Sequence, residues 1–359
     1  MKKKKILRVF IALISLFLLV FISYLAYLFF SYHRLPDNQA IEIKKAQQIT
    51  NKNNDKNKYK YKITTFNIGY AANPHNYSFF MDGGKYARGF SKENVQQNLE
   101  GIIQQVQKTQ PDFVLLQEVD SDATRSYHIP QEKNIMQAMP EMNASFALNY
   151  DSAYLFYPFT EPIGKSQSGL LTLSRETIHK STRYQLPIET NLNKFTDYDR
   201  AFTISLIATT PKPLALINVH LSAFTKDQSI QTAQIKKLAK YMQLYQQKGY
   251  AVIVGGDYNH DVLGDTPSLF GTKKQTLTWT HPFPKADLPA GFTLVNQDIV
   301  AAKIPSVRAN DRPFTKDSYV NLVDGFIVSE DIQVNHLKVW DHHFQYSDHN
   351  PVTMTFEIK

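Results

Sequence analysis

The hexamer Gly255-Gly256-Asp257-Tyr258-Asn259-His260 holds residue types that can do chemistry. The apolar, β-branched run 250–254 precedes it and predicts a buried strand. Two glycines allow a sharp turn, and side chains at i and i+2 of an extended end project to one face. Asp257 and Asn259 can therefore address one point, where a carboxylate beside an amide suits a hydrated divalent ion or an attacking water. A plain turn is the alternative interpretation of this hexamer alone.

Further polar side chains stand at the ends of other predicted strands or inside them: Asn67, Glu118, His220, Asp324, Asp348 and His349. Asp324 interrupts the apolar run 322–328, and a buried acid is costly unless it is paired, so we expect an imidazole or similar partner. Taken singly, each residue has an ordinary explanation, such as a core histidine for His220 or a solvated strand end for Glu118. Their joint occurrence favours one shared site.

Predicted strands dominate the chain after residue 60, and the predicted helices are few and long. The strands are 62–67, 112–118, 169–174, 201–207, 214–219, 250–254, 322–328, 337–340 and 351–358. One helix is predicted from a Ser91 cap to Lys108 and another over 226–247, while 261–318 reads as a long irregular region. This pattern predicts helices packed outside a two-sheet core.

In chain order, the polar motifs resemble those of the endonuclease/exonuclease/phosphatase superfamily. They are Phe66-Asn67, Leu116-Gln117-Glu118-Val119, Asn218-Val219-His220-Leu221, Gly256-Asp257-Tyr258-Asn259, Val323-Asp324-Gly325-Phe326 and Ser347-Asp348-His349-Asn350-Pro351-Val352. That superfamily includes DNase-I-like nucleases, abasic-site endonucleases, inositol-polyphosphate 5-phosphatases and neutral sphingomyelinases. The resemblance implies a DNase-I-like fold for residues 61–359: a four-layer α/β/β/α sandwich of two mixed β-sheets with outer helices.

The resemblance also implies metal-assisted hydrolysis of a phosphate ester, with Mg²⁺ as the cofactor and Mn²⁺ as an alternative. It implies catalytic roles for His220, Asp257, Asn259, Asp324 and His349, and metal-binding roles for Asn67, Glu118 and Asp348. In this scheme Asp257 orients or deprotonates water, and His349 donates to a non-bridging oxygen while Asp324 fixes its tautomer. Whether Asp257 or a metal-bound hydroxide is the base stays open.

Arg125 and Tyr127 follow Glu118 closely and are candidate substrate contacts to a second phosphate oxygen. A loop without substrate contact is the alternative for both. Arg200, which opens a predicted strand, is expected to be an ion-pair partner.

The N-terminus predicts a membrane anchor. Residues 1–8 are basic, and residues 9–30 carry no charge over a length that crosses a hydrocarbon core of roughly 30 Å. A cleaved signal peptide is the alternative, although its apolar region is usually shorter, about 7–15 residues. The basic N-terminus predicts a single-pass cell-membrane protein whose catalytic domain, 61–359, is extracytoplasmic. Tyr24, Tyr27 and Tyr32 suit the outer interface, and the polar stretch 31–60 is expected to be a flexible tether.

Charge and composition restrict the classes of molecule that the globular part can bind and the chemistry it can perform. Residues 1–62 carry 13 Lys/Arg and 3 Asp/Glu, so the remaining 27 basic and 29 acidic groups give residues 63–359 a net charge of −2. Tight duplex binding by the globular part is therefore disfavoured. The absence of cysteine excludes thiol catalysis and thiolate metal sites.

The expected partners are a phosphate-ester substrate, either nucleic acid or a phospholipid headgroup, and a membrane; no obligate protein partner is evident. The main hypothesis is a phosphodiesterase of nuclease or phospholipid/sphingomyelin type. The alternatives are a phosphomonoesterase and a non-catalytic surface interaction protein on the same scaffold.

Overall fold

The computed structural model describes residues 2–47, 59–195, 197–223, 228–272, 280–296 and 298–359. Its strands are β1 Gln39–Ala40, β2 Ile43–Lys44, β3 Lys60–Asn67, β4 Phe113–Ala123, β5 Asn143–Asp151, β6 Ser166–Ser174, β7 Ile178–Gln185, β8 Ala201–Ile207, β9 Leu214–His220, β10 Ala251–Asp257, β11 His260–Asp261, β12 His281–Pro282, β13 Phe292–Leu294, β14 Val307–Arg308, β15 Val320–Asn321, β16 Asp324–Ser329, β17 Ile332–Val339 and β18 Val352–Ile358. Its α-helices are α1 Lys2–Ser31, α2 Lys92–Lys108, α3 Gln131–Ala138, α4 Gln228–Gln247, α5 Thr266–Phe270 and α6 Ile299–Ala302.

Two seven-stranded mixed sheets form the centre of the fold. One sheet, called sheet A, has the order β1-β7-β8-β9-β10-β16-β13, and the other, sheet B, has the order β17-β18-β3-β4-β6-β5-β2. β9 and β10 pair in parallel in sheet A, as β3 and β4 do in sheet B, and most neighbouring pairs are antiparallel. The same end of both sheets therefore collects the carboxyl ends of four strands.

Apolar side chains fill the space between the sheets and beneath the helices. Leu115 from sheet B and Val254 from sheet A belong to one buried cluster, to which α4 contributes Ile235 and Leu238. A second cluster joins α2 and α3 to the outer face of sheet B. Helix α2 begins where predicted, because the Ser91 hydroxyl accepts the N–H of Asn94. The predicted four-layer sandwich with outer helices is confirmed.

The predicted tether is partly wrong. β1 pairs with β7 at the edge of sheet A, and β2 pairs with β5 at the edge of sheet B, so the described part of this stretch is held by the domain. Arg34 and the buried Arg183 both form ion pairs with Asp199, which fixes the chain leading into β1. The composition of this stretch did not predict the two strands, because an edge strand is held mainly by backbone hydrogen bonds, which do not depend on side-chain type. Residues 48–58 of the predicted tether lie outside the described residues.

Helix α1 contains the predicted anchor. It runs for 30 residues with a mean hydropathy of 2.8 in its most apolar window, and that window is not buried against the domain. Its length and composition are sufficient to cross a membrane. The helix also takes in most of the basic N-terminal residues, so it begins earlier than the apolar stretch alone predicts.

Candidate active site

Three of the predicted site residues lie side by side in sheet A. Asp257, the last residue of β10, is the register partner of His220 at the end of β9 and of Asp324 at the start of β16. Gly256 makes this close approach possible: its φ is +152°, and a Cβ on it would meet the Val219 carbonyl oxygen at 2.0 Å. The glycine that the sequence placed before the acid is therefore required by the backbone of the neighbouring strand.

Sheet B brings its own polar residues to the same end. Asn67 ends β3, and its side-chain amide donates to Oδ2 of Asp257 across the two sheets at 3.0 Å. Glu118 does not end its strand as predicted, because β4 continues to Ala123. Its register with β6 shifts between Leu116 and Val119, and Glu118 has a φ of +56°. This irregularity turns the Glu118 side chain toward the site, and such left-handed residues concentrate at functional sites.

The carboxylates and imidazoles converge around one point. His220 Nε2 lies 3.6 Å from Asp257 Oδ2 and 3.8 Å from Glu118 Oε1. His349 Nε2 lies 3.8 Å from the same Asp257 oxygen. Two acids and two imidazoles therefore face one another within 3.6–3.8 Å.

Asp324 has the imidazole partner that its burial demanded. Its Oδ2 lies 2.8 Å from His349 Nδ1, and the two side chains are 1% and 7% exposed. Burial opposes protonation of His349, but the charge and hydrogen bond of Asp324, with the charges of Asp257 and Asp348, outweigh it and raise its pKa to about 10. At neutral pH the ring is an imidazolium whose Nε2–H faces the site.

At His220 no carboxylate of the described residues outweighs the effect of burial on the pKa. Burial lowers the pKa of His220 well below 6.5, and the positive charges of Arg200 and His349 add to this effect. The ring is therefore neutral, and its Nδ1 has no hydrogen-bond partner among the described residues. One imidazole is charged and the other neutral within the same site, which gives them different capacities to donate and accept protons.

The remaining predicted residues form the margin of this site. Asn259 donates one amide N–H to the Leu221 carbonyl at 2.8 Å, and its own backbone N–H donates to Asp257 Oδ1. Asp348 accepts from the Asn310 amide at 3.4 Å. A Cβ on Gly69 would meet Asp348 Oδ1 at 2.7 Å, so only glycine permits the loop after Asn67 to pass this carboxylate.

The donor set fits a divalent metal on the Glu118 side. Burial and the negative charge of Asp348 raise the pKa of Glu118 to about 8. Within the described ranges, no donor forms a hydrogen bond to its carboxylate. The Glu118 side chain is only 16% exposed, so a carboxylate without a hydrogen-bond donor is costly there, and a bound cation would lower that cost.

A second set, Asp257, Asp324 and His349, also offers ligand atoms within 4.8 Å of one another. An imidazolium that is hydrogen-bonded to Asp324 has no free lone pair for a cation, so His349 would have to lose its proton before this set could bind a metal ion. Burial and the charge of Asp324 raise the pKa of Asp257 to about 6, so this acid can be ionised near neutral pH and accept a proton.

Arg125 and Tyr127 were predicted as substrate contacts, and the structure gives both of them partners inside the protein. Arg125 is buried and binds both carboxylate oxygens of Asp120, at 2.9 and 3.2 Å. The Tyr127 hydroxyl donates to the Gly89 carbonyl at 2.9 Å. A buried guanidinium needs a carboxylate, and Asp120 five residues earlier supplies it. Arg200, as expected, has an ion-pair partner, Asp197, at 3.7 Å.

Three site residues had been given no role from the sequence. Gln117 and Asn218 are fully buried amides that join the sheets directly beneath the site, with Gln117 donating to Asn218 Oδ1 at 2.8 Å. An amide inside an apolar strand was the available signal for both. Tyr198 places its ring 5.9 Å from that of His220 and hydrogen-bonds to Tyr70. It lies in a loop, and nothing in its sequence neighbourhood marks it.

Known proteins share both the sequence pattern and the fold. A model of the endonuclease/exonuclease/phosphatase family matches residues 64–349. The inositol phosphosphingolipids phospholipase C of Saccharomyces cerevisiae is 30% identical over 132 residues, which are 33% of this chain and 28% of the yeast protein. The chain therefore spans less than a third of the length of that relative.

Two solved structures show the same fold at low identity. The endonuclease/exonuclease/phosphatase from Beutenbergia cavernae has a TM-score of 0.54 at 14% identity, covering 84% of this chain and 72% of its own. The human Nocturnin catalytic domain, solved with a bound sulfate anion, has a TM-score of 0.54 at 14% identity, covering 89% and 97%. The family model matches residues 64–349, which are well over half of this chain. The chain therefore belongs to the endonuclease/exonuclease/phosphatase family.

Proposed function

We propose that this protein is a membrane-anchored, extracytoplasmic phosphoesterase that hydrolyses phosphodiester bonds with Mg²⁺, for which Mn²⁺ can substitute. The observation that carries the proposal is the convergence of Glu118, His220, Asp257 and His349 at distances of 3.6–3.8 Å. Family membership supports hydrolysis of a phosphate ester, and the yeast relative, which acts on a lipid phosphodiester by its name, supports a diester substrate.

The electrostatics of the site support a separate task for each side chain. A phosphoryl centre is shielded by negative oxygens, so attack by water requires neutralisation and in-line positioning. Glu118, with Asn67 and Asp348 beside it, would hold the cation, which supplies positive charge to the phosphate. Asp257 holds the attacking water and takes its proton, since its pKa of about 6 leaves it ionised at neutral pH.

The imidazoles and the amide act on the phosphate oxygens. His349 donates its Nε2–H to a non-bridging oxygen as negative charge grows, and Asp324 keeps the ring charged and oriented. Neutral His220 is the second donor, with its hydrogen on Nε2. Asn259 retains one amide N–H after its bond to Leu221 and directs it to a phosphoryl oxygen.

The test uses the full chain in detergent, because residues before β3 pair with both sheets. Bis-p-nitrophenyl phosphate, p-nitrophenyl phosphate, plasmid DNA and sphingomyelin micelles are supplied in parallel with Mg²⁺. Diester turnover that is lost with EDTA and in His349→Ala supports the proposal. His336→Ala is the matched control, since His336 forms an exposed ion pair with Asp298 on β17, away from the site.

Two outcomes favour the alternatives. Faster turnover of the monoester than of the diester indicates a phosphomonoesterase. No turnover of any substrate, together with no Mg²⁺ binding by calorimetry, indicates a non-catalytic interaction protein on the same scaffold.

A further inference from the structure

An exposed aromatic segment lies between β5 and β6. We call residues 154–159 the aromatic loop, whose sequence is Tyr-Leu-Phe-Tyr-Pro-Phe. Phe156, Tyr157 and Phe159 are 48%, 62% and 83% exposed. Clustered exposed aromatic side chains on a folded domain mark an interaction surface rather than ordinary protein surface.

The aromatic loop lies beside the end of α1. The Tyr24 hydroxyl donates to the Tyr154 carbonyl at 3.2 Å, and the Tyr154 N–H donates to the Tyr27 hydroxyl at 2.9 Å. The Phe156 ring packs edge-on against Tyr24 at 4.9 Å. Tyr24 is seven residues before the end of α1 at Ser31, which is about 10 Å along a helix axis. If α1 crosses the membrane, the loop reaches the boundary of headgroups and acyl chains.

A second loop links the end of α1 to the site. Phe195 packs against Phe29 at 4.8 Å and against Tyr32 at 5.2 Å, and Leu192 beside it is 72% exposed. Three residues after Phe195, Tyr198 reaches the His220 ring at 5.9 Å. The same loop therefore contacts the helix with one part and borders the site with the other.

The aromatic loop has its own connection to the site. Tyr157 packs against Phe80 at 5.8 Å, in the turn of 3₁₀-helix Phe80–Asp82. Immediately before this turn, the Phe79 N–H donates to the Asn310 carbonyl at 2.6 Å, and the Asn310 amide donates to Asp348. The aromatic loop is thus linked to Asp348 through Phe80, Phe79 and Asn310, whereas the loop of Tyr198 contacts His220 directly.

We propose that the aromatic loop and Leu192 enter the membrane interface beside α1, and that the site takes the phosphodiester headgroup of a lipid in that same membrane. This rests on the proposed function. Water adds its oxygen to phosphorus, one P–O ester bond breaks, and the departing alcohol oxygen takes a proton, leaving a phosphomonoester. Tyrosine and phenylalanine favour the interface energetically, so the loop keeps the site at headgroup level.

Charge favours a lipid over a nucleic acid at this surface. Residues 63–359 carry 27 basic and 29 acidic groups, whereas proteins that hold a polyanion supply an excess of positive charge along it. A single phosphodiester in a lipid headgroup needs only the donors of the site. The apolar surface beside the site then supplies the contact that a nucleic acid would not use.

The first experiment measures membrane entry without using activity. Full-length Phe159→Trp is reconstituted in phosphatidylcholine vesicles, and quenching by lipids brominated high on the acyl chain is compared with that of the parent. Val300→Trp is the matched control, because Val300 is 50% exposed on α6, which adjoins β17 at the opposite edge from β1 and β2. We expect strong quenching of Trp at 159 and none above background at 300. Equal quenching at both positions overturns membrane entry.

The second experiment measures the substrate class. The full chain in vesicles containing sphingomyelin, phosphatidylglycerol and phosphatidylcholine is assayed for released phosphomonoester, and in parallel for turnover of bis-p-nitrophenyl phosphate. We expect Phe156→Ser/Phe159→Ser to lower the ratio of lipid to soluble diester turnover at least 5-fold, while Val300→Ser keeps the parental ratio.

The outcomes separate the two proposals. Soluble diester turnover with no lipid turnover, or with a ratio that the loop variant does not change, overturns the lipid substrate and leaves the proposed function standing. Faster cleavage of plasmid DNA than of every lipid also overturns the lipid substrate and leaves the proposed function standing. Absence of turnover on all substrates overturns the proposed function and the lipid substrate together.

Discussion

Nδ1 of His349 lies 2.8 Å from Oδ2 of Asp324, and the Asp324 side chain is 1% exposed. A carboxylate so buried is costly without a partner, and its charge and hydrogen bond raise the pKa of His349 to about 10, so the ring is held as an imidazolium. His349 can then direct a charged donor at the phosphate without taking a proton from solvent first. The pair therefore links the stability of the fold to the proposed chemistry.

Asp324→Asn tests this relationship. The amide preserves shape and a hydrogen bond to Nδ1 but removes the charge that keeps His349 protonated. We expect kcat on a soluble diester to fall by about 100-fold at pH 7, with a smaller change in KM, because a charged donor acts mainly in the transition state. Asp298→Asn is the matched control, since it alters an exposed His–Asp pair of nearly the same length, 2.9 Å. Equal rates for the two variants would show that the charge of Asp324 is not used.

Glu118→Gln tests where the cation binds. The parent carboxylate lies in a site without a neutralising hydrogen bond from the described residues, so Mg²⁺ bound there stabilises the fold by mass action, by about 2.7 kcal/mol at 100 times Kd. We expect Mg²⁺ to raise the Tm of the parent and to leave that of Glu118→Gln within error of its metal-free value. Differential scanning fluorimetry with and without EDTA makes the measurement. Glu357→Gln, at the far end of β18, should respond to Mg²⁺ as the parent does; an unaltered response in Glu118→Gln would move the metal elsewhere.

The central strands and the residues beside them could be predicted from the sequence. Runs of β-branched and apolar residues mark β3, β9 and β10, and the polar residues that follow them meet because parallel strands end at one edge of a sheet. The local pattern is strong there because both faces of these strands are buried. That is why the sequence alone predicted that Asn67, His220 and Asp257 lie together.

The features that escaped prediction depend on the backbone or on distant partners. β1 and β2 are edge strands of two residues each, Gln-Ala and Ile-Lys, which is too short to show a periodic pattern; they are held by main-chain bonds and, next to β1, by the Asp199 ion pairs. The Glu118 side chain turns toward the site because the register of β4 with β6 shifts there, and the residue types in this segment do not reveal such a shift. Arg125 was predicted to contact a phosphate oxygen because the sequence does not show that its guanidinium forms an ion pair with Asp120.

The pH dependence of stability follows from the raised pKa of His349. Its folded-state pKa of about 10 exceeds the ordinary 6.5, so the bound proton stabilises the fold fully below pH 6.5, and this contribution is lost as pH rises through about 10. In EDTA, His349→Gln should therefore have its largest Tm deficit relative to the parent at pH 6, and the deficit should shrink steadily toward pH 10. His336→Gln supplies the trend of an exposed histidine for subtraction. A deficit that grows with pH would contradict a protonated His349.

The amide pair beneath the site should support both stability and activity. Asn218 donates to the carbonyls of Leu116 and Leu171, each at 3.1 Å, and accepts from Gln117, the residue before Glu118. Asn218→Leu keeps the volume but leaves these buried groups without their partner, so we expect the free energy of unfolding to fall by about 3 kcal/mol. Urea denaturation of the full chain in detergent measures the loss, and Asn335→Leu, which removes an exposed bond to Glu357, should change it by less than about 0.5 kcal/mol.

The same variant distinguishes support from simple loss of stability. Since Asn218 holds the strand from which Glu118 turns, Asn218→Leu should weaken Mg²⁺ binding even under conditions where the chain remains folded. Adding Gln117→Leu removes the unpaired amide, so the double variant should be more stable than the sum of the single losses predicts, with a coupling of about 1 kcal/mol or more. Additive losses would mean that the two amides act independently, and that the bond between the sheets does not position Glu118.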